Sequence, residues 1–387
     1  MVICLKKKKI LFVHPIKEFS GSLKSLEEYL KLLKNKYSIY FLVPSGVAAQ
    51  RLKKYGKVYT TIGLSKFDNS ILGYYKGWRW LLLIREIFLI IPTIISIYQI
   101  KNKSKSIDIV HFNEVTLIPT LFFFKLFFSV PFIMHCRILF KKDNYFGKKI
   151  AKFLEKNIFQ IIAIDNDVKE SFPKFLNVKV VRNIFIKKKI KKNKTFFNDN
   201  FLNIGYVGSF LKFKGIEDLI IVFNKLKING YNIRLYLAGN FIKNKKIFDF
   251  FGISNNIDKK LTLSKDIINM GHINKLDKFY DKIDLLCFPS YLNALGRQIF
   301  EAGHYQIPSI VCIDKTKTDS FINKKSGLSF KKPGSKNKLE EIIKYFYENR
   351  SEVSKMGLNA HKIILKNYDI NKNLFNLENI YNKALKN

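Results

Sequence analysis

The stretch "FLNIGYVGSFLKFKGIEDLIIVFNKLK", residues 201–227, decides the fold. An apolar run rich in β-branched and aromatic residues ends at Gly208, a short basic loop closes on Lys214 and Gly215, and an apolar period of three to four residues follows. That order predicts a strand, a glycine turn and a helix. Downstream the pattern repeats: "IRLYLAG" reads as a strand, "KLDKFYDKI" as a helix, "DLLCFPS" as a strand, "RQIFEAGHYQ" as a helix and "PSIVCI" as a strand. Strands alternating with helices make a parallel sheet covered on both faces.

Upstream, "KILFVHP" leads through the small-residue loop "FSGS" into the helical "LKSLEEYLKLLKN". Further strands read at "YSIYFLVP", "IDIVHFN", "VPFIMHC", "QIIAID" and "VKVVRN". At 387 residues the chain exceeds what one core ordinarily holds. The expected class is therefore α/β, with two Rossmann-like domains facing across a cleft. The expected boundaries are residues 1–185 for the first domain and 186–200 for a linker. Residues 201–365 form the second domain, and 366–387 a C-terminal helix able to pack back on the first. The segment 186–200 is a dense charge run without apolar period, which suits a linker; a solvated loop inside one domain is the other reading.

With 47% apolar and 15% aromatic residues the chain is no disordered polyelectrolyte, although its net charge is +39. Such a charge attracts anionic lipid, nucleotide or nucleic acid. Only eight of the 69 basic residues are arginine, and Lys, Asn, Ile and Phe abound, as AT-rich coding produces. A solvated basic surface and a membrane-facing patch both stay open. No helix-turn-helix, zinc spacing or ribonucleoprotein aromatic pattern accompanies the charge, so nucleic acid is not expected as a partner.

Cys4, Cys136, Cys287 and Cys312 lie far apart in apolar contexts and read as buried thiols of a reducing compartment. The start, "MVICLKKKKILFV", lacks the order of a signal peptide, which points to the cytoplasm. Leu81–Ile100 is interrupted by Arg85, Glu86 and Pro92, and Leu117–Met134 by Lys125 and Pro131, so neither reads as a span. Leu81–Ile100 reads either as a buried helix before "IDIVHFN" or, with "ILGYYKGWRW" ahead of it, as an interfacial segment on an anionic leaflet.

Ligands of an open parallel sheet sit beyond the strands' carboxyl ends, where glycine admits close approach and helix amides face anions. Three loops qualify: "YVGSFLKFKG", "LAGN" and "PSYLNALGRQIFEA". In the last, the amides near Leu295–Gln298 could hold a phosphate, with Arg297 adding a charged fork. Glu301, four residues on, could accept hydrogen bonds from a ribose diol; as a helix-dipole partner or surface charge it would need no ligand.

The segments "GYVGSFLKFKGIEDLI", "RLYLAG", "GHINKLDKFYDKIDLLCFPS" and "ALGRQIFEAGHYQIPSIV" resemble, in order and spacing, the donor-binding half of the retaining glycosyltransferases of family 4, which have the GT-B fold. "KILFVHPIKEFSGSLKSLEEYLKLL", "IDIVHFN", "VPFIMHCR" and "IIAIDNDVKESF" are similar to its first half. The resemblance implies transfer of a sugar from a nucleotide diphosphate to a saccharide acceptor, lipid-linked or free, with retention and without metal or other cofactor. The setting implied is bacterial surface polysaccharide: lipopolysaccharide, capsule or O-antigen, made on the cytoplasmic side, peripheral on the inner face of the plasma membrane.

Residue by residue, Lys214 matches the basic group at the donor diphosphate, Glu301 the second glutamate of E-x7-E, and Gly208 and Ser209 the strand-end loop. The amides around Leu295 and Gly296 match the phosphate loop, Gly21 the first domain's glycine loop, and His135 its histidine near the reacting sugar. His135, Asn293 and Glu301 are the implied catalytic set; a structural histidine at a strand end is the plainer reading of His135. Two positions depart from the pattern: Asn293 stands for the first glutamate and Ser209 for an arginine, a charge for which Arg297 is expected to compensate. The alternatives are a nucleotide-sugar epimerase of the same fold and a catalytically weak or inactive nucleotide-sugar-binding homologue.

Overall fold

The computed structural model describes residues 7–71, 75, 77–104, 106–186, 200–239, 264–273 and 276–386. The chain divides into two compact units, Met1–Ile186 with Tyr368–Asn387, and Lys187–Asn367. Cys4 and nearly all of the expected linker lie outside the described residues.

The first unit holds β1 (Lys9–Val13), β2 (Ser38–Pro44), β3 (Lys57–Thr61), β4 (Ile109–Phe112), β5 (Phe132–Cys136), β6 (Gln160–Ala163) and β7 (Val178–Val180). They run in the order β3-β2-β1-β4-β5-β6-β7, every pairing parallel. The central strands are buried along nearly their whole length, as their largely apolar runs require. β3, "KVYTT", was not legible as a strand because it is an edge strand with little buried surface.

One face of this sheet is covered partly by the chain's last helix, Ile370–Ala384. Its Leu377, Ile380, Tyr381 and Ala384 share a core with Ile109, Ile133 and Ile162. Asp369 caps that helix by accepting from Lys372 N at 2.7 Å, and the buried Asn373 side chain accepts from Arg182 N at 2.9 Å. Tyr381 Oη lies 2.8 Å from His111 Nδ1, so the phenol's polar tip also has a partner inside.

The second unit holds β8 (Leu202–Val207), β9 (Ile233–Ala238), β10 (Ile267–Asn269), β11 (Leu285–Phe288), β12 (Ser309–Cys312) and β13 (Gly327–Phe330). Their order is β10-β9-β8-β11-β12-β13, again all parallel. Helix Ile216–Ile228 packs Leu219, Ile220, Phe223 and Leu226 on one face with Ile343 and Phe346 of helix Lys336–Glu348. Cys136, Cys287 and Cys312 are buried free thiols.

Leu377→Ala removes a fully packed side chain from the helix that closes the first unit. It should cost about 2–5 kcal/mol. Trp78 and Trp80, both in the first unit, give the fluorescence signal for urea unfolding; an unchanged midpoint would mean that this helix adds no stability.

Candidate active site

In each sheet the strand order reverses beside the first strand, between β1 and β4 and between β8 and β11. Adjacent loops leave such a point in opposite directions, which opens a crevice at the carboxyl edge.

In the second unit the crevice is lined by backbone that tolerates no side chain. Gly208 and Gly239 end β8 and β9 with φ of +151° and +158°, and a Cβ on Gly239 would stand 1.9 Å from the Gly208 carbonyl oxygen. Gly215, φ +74°, lies against the Pro289 carbonyl, where a Cβ would meet the oxygen at 2.0 Å. Tyr291 N donates to Phe213 O at 2.9 Å and Tyr291 Oη bonds Asp218. The loops after β8 and β11 are thereby stapled together.

Lys214 sits in this staple. Its Nζ is 5.5 Å from the Phe213 ring centroid and 5.4 Å from that of Phe288. Burial lowers its pKa, and among the described residues no carboxylate is within salt-bridge reach of it. An ammonium taken partly out of water without an acidic partner is a binding group for an anion from outside the chain.

Helix Arg297–His304 begins at Gly296, which offers no side-chain cap to its first-turn amides. Leu295 and Gly296 are half-buried beside them. Ser209 gives its carbonyl to Tyr206 Oη at 3.0 Å.

Arg297 and Glu301 are joined to each other. Arg297 Nε donates to Glu301 Oε1 at 2.5 Å, and Tyr280 Oη donates to Oε2 at 3.1 Å. Glu301 is 2% exposed. Burial, then the Glu301 carboxylate, push the Tyr280 phenol well above its usual value, so it remains the donor. Arg297, expected on a phosphate, and Glu301, expected on a ribose, thus form an i,i+4 ion pair inside the unit.

Asn293 adopts φ +47°, a left-handed conformation that asparagine tolerates. Its Nδ2 donates to Asp314 Oδ2 and its Oδ1 accepts from Asp314 N, both at 2.8 Å. The amide therefore clasps the loop after β11 to the loop after β12. A glutamate could not donate the first of these bonds.

In the first unit, Gly21 opens helix Gly21–Leu33, capped by Ser20 Oγ accepting from Leu23 N at 3.2 Å. A Cβ there would meet nothing within 4 Å. His135 is not at the edge: it lies within β5, 2% exposed, its ring 5.4 Å from that of His111 on the side covered by Tyr381.

The residues that do reach the edge went unselected in the sequence. Arg137 donates to Asn113 Oδ1 from Nε at 3.1 Å and Nη2 at 2.9 Å, and to Asn183 Oδ1 from Nη1 at 2.9 Å. With its oxygen so engaged, Asn113 turns Nδ2 to His14 Nδ1 at 2.9 Å, which puts the His14 proton on Nε2. The Nε2 atoms of His14, His111 and His135 are buried without a hydrogen-bond partner. The available signal was a polar residue directly after each apolar run: "FVHP", "HFNE", "HCR", "VVRN".

Residues 187–363 match the family described as "Glycosyl transferases group 1", somewhat under half of the chain. The capsular polysaccharide biosynthesis glycosyltransferase CapM of Staphylococcus aureus is 28% identical over 193 residues, 49% of this chain and 48% of that one. The chain thus spans about half the length of that curated relative. Anabaena HepE, solved with UDP and glucose, superposes with a TM-score of 0.73 at 15% identity over 97% of this chain and 99% of its own. A glycosyltransferase from Rickettsia africae gives 0.71 at 17% over 98% and 99%. The chain has the GT-B fold. Its second unit is related in sequence to the group 1 glycosyl transferases, and its two parallel sheets are those of the solved GT-B glycosyltransferases. Among the described residues no group of three or more His, Cys, Asp or Glu is placed to hold a metal ion.

Arg297→Ala would leave Glu301 charged and buried with Tyr280 as its donor. A loss of about 3–5 kcal/mol is expected in the second unit, with most of it recovered when Glu301→Gln is added. Thermal unfolding by calorimetry checks both; an unaffected single variant would return Arg297 to a ligand-binding role alone.

The first unit carries a pH signature. Burial, reinforced by Arg137, holds His14 and His111 down at about 3, so their contribution is full above pH 6.5 and is lost as pH falls toward 3. Burial pushes Glu114 up to about 7, so its contribution is full below pH 4.5 and is lost as pH rises through 7. Between pH 6.5 and 4.5 these oppose each other, at about 1.4 kcal/mol per pH unit for each group. Glu114→Gln should therefore make tryptophan-monitored stability fall more steeply across that window than in the wild type.

Proposed function

We propose that the protein is a glycosyltransferase moving a sugar from a nucleotide diphosphate to a hydroxyl of a lipid-linked saccharide, with retention and without a metal, in bacterial surface polysaccharide assembly. The proposed site of work is the cytoplasmic face of the plasma membrane. The observation that carries this reading is Lys214, a partly buried ammonium held between two rings at the β8/β11 reversal. The sequence match of the same unit to group 1 glycosyl transferases, and the relation to CapM, support it.

In the proposed step the anomeric C–O bond to the diphosphate breaks with its electron pair on the diphosphate. A bond forms from the acceptor oxygen to the anomeric carbon, and the acceptor proton leaves with the nucleoside diphosphate. Lys214 and the first-turn amides at Leu295–Gln298 stabilise the leaving charge, the part a divalent cation would otherwise play. Gly208 and Ser209 give the donor backbone access. Glu301, held by Arg297 and Tyr280, takes the ribose on its remaining lone pairs. Arg137 and His14 at the β1/β4 edge meet the acceptor, and His135 supports them from the packed layer behind.

A second reading, nucleotide-sugar binding with little or no transfer, is favoured by one observation. Both ends of the Asn293 amide are taken up by Asp314, and the amide brings no charge to a developing cation.

Calorimetric titration with a panel of nucleotide sugars, followed by chromatography of the products, separates these. Transfer to an acceptor is expected; an altered free nucleotide sugar would mean an epimerase, and binding without turnover the silent reading. Lys214→Ala should weaken nucleoside diphosphate binding by about 1.5–3 kcal/mol, roughly 10- to 150-fold, at wild-type thermal stability. Unchanged affinity would remove the diphosphate role.

A further inference from the structure

Gly77–Lys103 is an inverted surface. Among the described residues it is one helical stretch long and apolar enough to cross a membrane, and only 22% of its most apolar window is buried. This corrects the buried-helix reading. Ile84, Ile87, Phe88, Ile91, Ile95 and Tyr98 recur at helical spacing and are 50–70% exposed. The side turned inward is partly polar: Glu86, Thr93 and Ser96 are buried along with Ile97 and Ile100. Water-facing helices of folded domains have the opposite arrangement.

The polar side is also what ties the stretch down. Ser65 N donates to Thr93 Oγ1 at 3.1 Å, Ser65 Oγ to Glu86 O at 2.9 Å, and Lys66 N to Glu86 Oε2 at 2.9 Å. Ile97 and Ile100 belong to the same core as Val110 and Phe112 of β4. A segment so bound to its sheet lies along the unit and does not cross a bilayer.

The exposed face continues onto helix Ile118–Phe127, where Phe122 and Leu126 point outward and Phe127 meets Tyr98 ring to ring at 6.4 Å. At its start Trp78 and Trp80 are half exposed, and Trp80 stacks on Tyr75 at 5.4 Å and leans on Phe146 at 6.1 Å. Tryptophan with one side packed and one side open is the residue of a membrane–water interface.

The charge fits one kind of membrane. The single acidic residue of Gly77–Lys103 is Glu86, buried and bonded to Arg85, and the stretch also carries Arg79, Lys101 and Lys103, in a chain of net charge +39.

We propose that this face seats the first unit in the interfacial plane of a membrane rich in anionic lipid. The proposal deepens the lipid-linked acceptor reading above, on which it rests only for orientation. The segment after β3 crosses the carboxyl edge: Phe67 N donates to Thr116 O at 2.8 Å and Ile71 N to Leu139 O at 2.9 Å. The aromatic end of the patch is thus joined to the edge that carries Arg137 and His14, and an acceptor held in the membrane would approach that edge along it.

The test is flotation of the full chain with phosphatidylcholine vesicles, with and without phosphatidylglycerol, alongside the Ile87→Glu/Ile91→Glu variant. Binding to the anionic vesicles is expected, weakened by salt, and reduced at least roughly tenfold in the variant. Trp78 and Trp80 should shift their emission to the blue on binding and be quenched by shallow brominated lipid. A wild type that stays in the soluble fraction, a variant that floats as well as the wild type, or tryptophans that do not respond would overturn the proposal. So would a variant that turns a dimer into a monomer while neither protein floats, which would give the face to a second copy of the chain. Nucleotide-sugar binding, measured on both proteins, should be equal; its absence with flotation intact counts against the transferase reading and leaves the docking surface standing.

Discussion

A strand buried on both faces of a parallel sheet has few places for a polar side chain other than its ends. Everything functional in this chain follows from that constraint. β1 and β11 are apolar along their middles, and β4, β5 and β8 are apolar but for the buried His111, His135 and Asn203; His14, Asn113, Arg137, Gly208 and Pro289 collect at the carboxyl edges. The reversal of strand order then parts the loops where these groups emerge. The interior also sets the chemistry there, because partial desolvation makes an ammonium such as Lys214 seek an anion and raises the Glu114 carboxyl to about 7.

The fold was legible because burial on two faces writes unbroken apolar runs, and those runs marked most strands of both sheets. β3, β10 and β13 were not, since edge strands with half-open faces need no such run. The loops of the donor-side crevice were legible from glycines that follow strands. What the side chains do there was less so. That Arg297 would turn along its own helix to Glu301 depends on the depth at which Glu301 is buried and on Tyr280, twenty-one residues upstream of it. The partner of Asn293 is likewise twenty-one residues away, across a strand.

His135 and the helix after β3 show what a local pattern leaves open. His135 lies within β5, buried in the layer under the last helix, whereas Arg137 follows the end of the strand and reaches the edge. The apolar stretch Leu81–Ile100 has the composition of a core helix. Which side faces the core was settled by a few polar atoms, Ser65, Thr93 and Glu86, whose bonds outrank the sum of its hydropathy.

The helix Ile370–Ala384 belongs to the first unit although the whole second unit precedes it in the chain. During synthesis the first sheet therefore waits with Ile109, Ile133 and Ile162 uncovered until Leu377 and Tyr381 have been made. Domains generally complete themselves in the order they leave the ribosome. Here the order is turned inside out: the unit begun first is finished last, and the hydrogen bond between Tyr381 and His111 spans 270 residues.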